Sequence, residues 1–131
     1  MYELHCQFEV VDWNENKLWT TDDGSSASVV EARYQYSGDI SGNSRINMQL
    51  IYHAQGDSDF VALEHISATI AGKQGGLILR HQGVHHEHAA QGLCEIVHAT
   101  GALEGMLGQG EYRAESQKVG LILKVIDQES L

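Results

Sequence analysis

The run FVALEHISATI (60–70) alternates, so that Phe60, Ala62, Ile66, Ala68 and Ile70 fall on one face of a strand. Glu64 falls on that face too. A lone carboxylate in an apolar row is costly to bury unless it is hydrogen-bonded or neutralised, so its partners matter most. His81 and the tyrosines Tyr34, Tyr36 and Tyr52 share inward parity with apolar neighbours in nearby segments. A contact from Glu64 to His81 or to a tyrosine could move a proton or anchor a ligand's polar group. The same contacts could instead form a buried hydrogen-bond network that fixes strand register. Glu64 and His81 are therefore the candidate catalytic residues. Tyr34, Tyr36, Tyr52, Glu64 and His81 form the candidate ligand-binding set.

Other chemistry is weaker. HQGVHHEH (81–88) concentrates four of the eight histidines. Zinc needs three or four ligands converging from fixed positions, and His85, His86 and His88 sit on or beside a hairpin loop, around Glu87. We expect a surface cluster there, with no resident metal and no cofactor. His5, His53, His65 and His98 read as exposed. Neither HExxH nor GxSxG occurs, and the glycines of MLGQGEY (106–112) have no following helix, so they are not a phosphate loop. Cys6 and Cys94 lack a CxxC spacing and read as small buried hydrophobes rather than a disulfide. Trp13 and Trp19 flank the first loop and are expected to pack at its rim.

These side chains must be positioned by strands. The sequence has no proline and 14 glycines, and its segments alternate with period 2 rather than 3.6. Leu4, Cys6, Phe8 and Val10 mark a first strand, followed by a polar loop over 14–26. Val30, Ala32, Tyr34 and Tyr36 mark a second, SGDISGN (37–43) a tight connection, and Ile46, Met48, Leu50 and Tyr52 a third. AQGDSD (54–59) turns into the Glu64 strand, and AGKQGG (71–76) into a fifth, LILRHQGVHH. LCEIVH is the sixth, TGALEGMLGQGEYRAE (100–115) a glycine-rich seventh and KVGLILKVID (118–127) the eighth. No stretch offers an amphipathic helix. Eight sequential antiparallel strands form a meander, which closes naturally into an up-and-down barrel without exposed edges. Gly83, Gly92, Gly108, Gly110 and Gly120 suit the tight bends of such a barrel.

A hairpin centred between Gly72 and Lys73 would pair Ile66 with Leu79, Ala68 with Leu77 and Glu64 with His81. A one-residue slip would turn every side chain over and could bring Arg80 to Glu64 instead.

The chain of 131 residues, 42% hydrophobic, is long enough for one domain (1–131) with a sizeable core. Its formal net charge of −10 repels phosphates, which argues against nucleic-acid and anionic-membrane partners. No apolar run approaches the roughly 18 residues that span a bilayer, and we expect a soluble, cytoplasmic protein. Apolar residues of outward parity (Ile51, Ile78, Val84, Ile122, Ile126) fit a subunit interface in a homo-oligomer, a dimer or trimer.

FVALEHISATIAGKQGGLILRHQG and TGALEGMLGQGEY together resemble an uncharacterised bacterial family of small proteins. That family is known only as a domain of unknown function with an allene-oxide-cyclase-like, calycin-like barrel. The resemblance rests on Phe60, Leu63 and Glu64, on His81 and Gly83, and on Thr100, Gly101, Leu103, Gly105, Gly108 and Gly110. Ala62 stands where the family pattern has glycine, and Arg80 where it has glutamine. TGALEGMLGQ is also similar to a stretch of plant allene oxide cyclases, which are trimeric barrels that bind an oxylipin without a cofactor. The resemblance implies a closed eight-stranded barrel with a cavity and carries no activity with it. Three functions fit: a barrel that binds a small apolar or amphipathic ligand, a cofactor-free isomerase or cyclase using Glu64 as acid or base, and a packed barrel that works through its outer surface.

Overall fold

A computed structural model of the protein describes residues 1–126; Asp127, which the alternation assigns to the eighth strand, lies outside the described residues. The strands are β1 (Tyr2–Thr20), β2 (Ser26–Gly38), β3 (Ser41–Tyr52), β4 (Ser58–Ile70), β5 (Lys73–His86), β6 (Ala89–Ala99), β7 (Leu107–Ala114) and β8 (Lys118–Ile126), with one 3-10 turn at Gly101–Leu103. Each pairs antiparallel with the next, and β1 pairs with β8, from Tyr2 opposite Val125 to Glu9 opposite Lys118. The all-β, eight-stranded closed meander expected from the alternation is what forms. Among the described residues no helix is long and apolar enough to cross a membrane.

Two segments depart from the expected pattern. The polar stretch after Asn14 is not a loop: β1 runs on to Thr20, paired with β2 back to Ser26, with register shifts after Val10 and Lys17. Backbone pairing needs no side-chain alternation, and the bulges add the twist that lets a long hairpin project past the ring. The remaining turn is held by Asp23, which accepts from Thr21 Oγ1 at 2.6 Å and from the Ser25 N–H at 2.9 Å. Trp13 and Trp19 do not pack at a rim; they stand 43% and 53% exposed on this projection. The second departure is at 100–106, where the expected seventh strand begins with the 3-10 turn instead. Thr100 is bonded to Gly76 across β5, and Leu103 turns into the core.

The β4–β5 hairpin sets the register of the site. Its turn is Ala71–Gly72, both with positive φ (51° and 78°), the two-residue geometry whose twist matches paired strands. Ile66 therefore faces Leu77, Glu64 faces Leu79 and Ala62 faces His81. This corrects the expected pairing by two residues. A two-residue shift preserves the face of every side chain, so Glu64 and His81 still point inward. Arg80 points outward and pairs with Glu95.

The two ends of the barrel differ. The turns after β2, β4 and β6 meet at one end, where Ile40, Ile70 and Leu103 are 0%, 4% and 3% exposed and plug it. The turns after β1, β3, β5 and β7 meet at the other. There Ala27, Ser58 and Ala89 are buried, Val10, Ala90, Tyr112 and Ala114 are only partly buried against the core, and the turns are polar apart from Ala54 and the glycines. Between the ends, Phe8 stacks on Tyr34 at 4.9 Å and tilts against Tyr36 at 5.4 Å.

Candidate functional site

Glu64 sits in mid-barrel, 1% exposed, and both of its oxygens are engaged. Oε2 accepts from the Tyr36 hydroxyl at 2.8 Å and from Ser44 Oγ at 2.6 Å. Oε1 lies 2.7 Å from His81 Nε2. His81, also 1% exposed, reaches the Tyr112 hydroxyl through Nδ1 at 3.0 Å. Taking Glu64 as a carboxylate, Nε2–H donates to it, and Nδ1 of a neutral ring accepts from Tyr112; such tautomers follow from the network. Among the described residues every fully buried side-chain nitrogen and oxygen has a hydrogen-bond partner. The order hydroxyl, imidazole, carboxylate runs from the partly buried Tyr112 down to the sealed Glu64. It can orient a hydroxyl or pass a proton along its length.

Glycines make room for the upper end of this chain. Phe60, Gly83, Gly92 and Tyr112 stand opposite one another across β4, β5, β6 and β7. A side chain at Gly92 would come within 2.4 Å of the Tyr112 ring, and one at Gly83 within 2.6 Å of Phe60. The two rings thus lie over the two glycines, which is why these positions carry none of the bulk a strand normally prefers. Tyr112 meets Phe8 edge-on at 5.8 Å and His81 at 5.6 Å.

Burial shapes the acid–base character of these groups. Desolvation pushes Tyr112 and Tyr34 well above the ordinary tyrosine value, as it does Tyr36, where the charge of Glu64 adds to it. Tyr112 is thereby held as a neutral hydroxyl that can donate a hydrogen bond. Desolvation, helped by Glu64, pushes the thiols of Cys6 and Cys94 up to about 12, so both free cysteines stay protonated.

The structure brings Glu64, His81 and Tyr36 together as the sequence pattern predicts, with Tyr34 stacked nearby. It does not bring in Tyr52. That residue has inward parity, but it lies at the strand end, 36% exposed, and its hydroxyl donates to Glu15 Oε2 at 2.6 Å across the projecting hairpin. Tyr112 and Ser44 are the members that sequence reasoning missed. Tyr112 continues the inward alternation of Gly108 and Gly110, and Ser44 precedes Ile46 and Met48 on theirs.

The histidine cluster is dispersed. His86 Nδ1 is 2.9 Å from Asp57 Oδ1, which raises its ring above the ordinary value, and Glu87 and His88 form a two-residue turn with φ of 51° and 69°. Among the described residues no three His, Cys, Asp or Glu side chains gather as metal ligands would.

No curated protein matches the chain. A solved structure similar to it is that of a protein of unknown function from the DUF3224 family of Shewanella oneidensis MR-1, with a TM-score of 0.77 and 19% identity over 98% of each chain. At that identity the likeness speaks for the fold. The model of the family described as "Protein of unknown function (DUF3224)" matches residues 4–124. The chain belongs to the DUF3224 family.

Proposed function

We propose that the protein binds a small, largely apolar molecule at the open end of the barrel, with the Tyr112 hydroxyl as its polar contact. The observation that carries this reading is the hydrogen-bonded series from sealed Glu64 through His81 to partly buried Tyr112, ending among Val10, Ala90 and Ala114. Small apolar side chains around one oriented polar group are what a ligand site for such a molecule needs. The four turns at this end carry Asp22, Asp23, Asp57, Glu87 and Glu115 and no lysine or arginine. Their field favours a neutral or cationic ligand over an anionic one. Arg45, Arg80, Glu95 and Lys124 on the outer face, and two free thiols, suit work in the cytoplasm.

Decanol, decylamine and decanoate, equal in chain length, test this by isothermal titration calorimetry. The alcohol and the amine should bind, the carboxylate at least tenfold more weakly, and Tyr112→Phe should weaken the alcohol. Absence of binding by all three, or a preference for decanoate, would overturn the reading.

A second reading, cofactor-free isomerisation, draws on the same series. Glu64 is sealed and acts on a ligand only through His81 and Tyr112, so Tyr112, passing its own proton to His81, would take a proton from the ligand. Tyr112→Phe would then abolish turnover of a bound substrate while leaving its binding within a few-fold.

A further inference from the structure

Closure of the ring leaves one sheet edge uncovered. β1 pairs with β8 only from Tyr2 to Glu9, and the Val10 N–H then donates to the Gln117 carbonyl at 3.1 Å. From Val11 to Thr20, β1 has β2 on one side and, among the described residues, no strand on the other. Main-chain N–H and C=O groups along this projecting border are open to a further strand. Every side chain from Val11 to Thr20 is exposed. Val11 and Leu18, at 57% and 52%, add apolar area to that of Trp13 and Trp19.

Proteins blunt such borders with bulges, lysines or a covering segment. The bulges after Val10 and Lys17 confine the regular stretch to Asp12–Lys17, and Lys17 is the border's one lysine. On the face turned towards Val30 and Ser28, Glu15 and Lys17 stand side by side. Glu15 holds Trp13 Nε1 and the Tyr52 hydroxyl, at 3.2 and 2.6 Å. Among the described residues Lys17 has no ion-pair partner within its own chain.

We propose that two copies of the chain join these borders as an antiparallel strand pair about a twofold axis. The contact is the edge of a single strand, so no curved barrel face has to fit another. A twofold sets each border against its own copy and demands self-complementarity. Directly opposed residues share a face of the sheet, so the axis passes through a residue. β8 and its turn already occupy β1 as far as Val10, so a second copy can overlap only the stretch from Val11 outward. Full overlap then puts the axis at Glu15 or at Asn16. At Glu15 two carboxylates would meet. At Asn16, Glu15 of each chain meets Lys17 of the other, two reciprocal ion pairs that supply the partner Lys17 lacks.

Sedimentation equilibrium of the full chain over about 1–100 µM, in about 0.15 M salt to screen the net charge, tests this. The wild type should show the mass of two chains. Lys17→Glu and Glu15→Lys, each alone, set like charges against each other and should raise the dissociation constant at least tenfold, with circular dichroism unchanged. Mixing the two variants in equal amounts should restore the mass of two chains, because every carboxylate again faces an ammonium across the axis. A single-chain mass for the wild type throughout, a mass of three chains, variants that dimerise like the wild type, or a mixture that stays apart would each overturn the proposal.

Discussion

The two ends of this barrel are built from the same strands and meet opposite fates. At one, Ile40, Ile70 and Leu103 turn inward and shut the interior; at the other, Val10, Ala90 and Ala114 leave Tyr112 partly uncovered. The polar series lies along this gradient, its carboxylate sealed and its last hydroxyl at the open side. A network whose only task was register could sit at any depth. One that ends at a partly buried hydroxyl has a direction, and the proposed binding reading rests on that direction.

The largest expected effect comes from the sealed terminus of the series. Glu64→Ala leaves Tyr36, Ser44 and His81 buried without their acceptor. It should cost about 3–5 kcal/mol in denaturant unfolding, as breaking one partner out of a buried polar cluster does. Tyr112→Phe, at the other terminus, should cost about 1 kcal/mol. Equal losses would erase the distinction between the ends.

Next is the plug itself. Leu103→Ala should destabilise by about 2–4 kcal/mol through the cavity it leaves, against less than about 1 kcal/mol for the partly buried Val10→Ala. Melting temperatures that fall by the same amount would show that both ends carry the fold alike.

A smaller effect, about 1–3 kcal/mol, is expected for Gly92→Ala, because the new methyl displaces the Tyr112 ring. Adding Tyr112→Ala should recover part of that loss, since the two changes share one contact. Gly83→Ala should not be recovered by trimming Phe60, because its methyl also meets the Gln91 backbone oxygen at 2.1 Å.

The mildest test is pH. The folded chain holds Cys6 and Cys94 at about 12 against an ordinary 9.0, so the unfolded chain loses these protons first. Their contribution is fully present below pH 9 and is lost as pH rises from 9 to 12, with the buried tyrosines joining above 10. Melting temperature should fall progressively over that range. Native protein at pH 8 should leave both thiols unreactive towards a disulfide reagent.

Much of this was legible in the sequence. Period-2 alternation identifies the strands, and Glu64 in the row of Phe60 and Ile66 identifies the network, because a buried carboxylate needs donors. The tolerance of parity explains why Glu64 and His81 could be matched from a register two residues off. What alternation could not show is depth. Tyr52 and Tyr36 have the same parity, yet one lies at a rim and bonds Glu15, and the other reaches Glu64. Tyr112 stayed hidden because the glycines before it on the seventh strand carry no side chains to mark which face it shares. The polar run after Asn14 looked like a loop because backbone pairing leaves no mark on side-chain type.

The ring is completed by pairing its first strand with its last. A chain made from the N-terminus therefore carries Leu4, Cys6 and Phe8 on a strand with one unmatched edge until Lys118–Val125 have been synthesised. No shorter nascent chain can form the closed ring, and the longest-range contacts must come last. That delay leaves an adhesive sheet border open to other chains during synthesis.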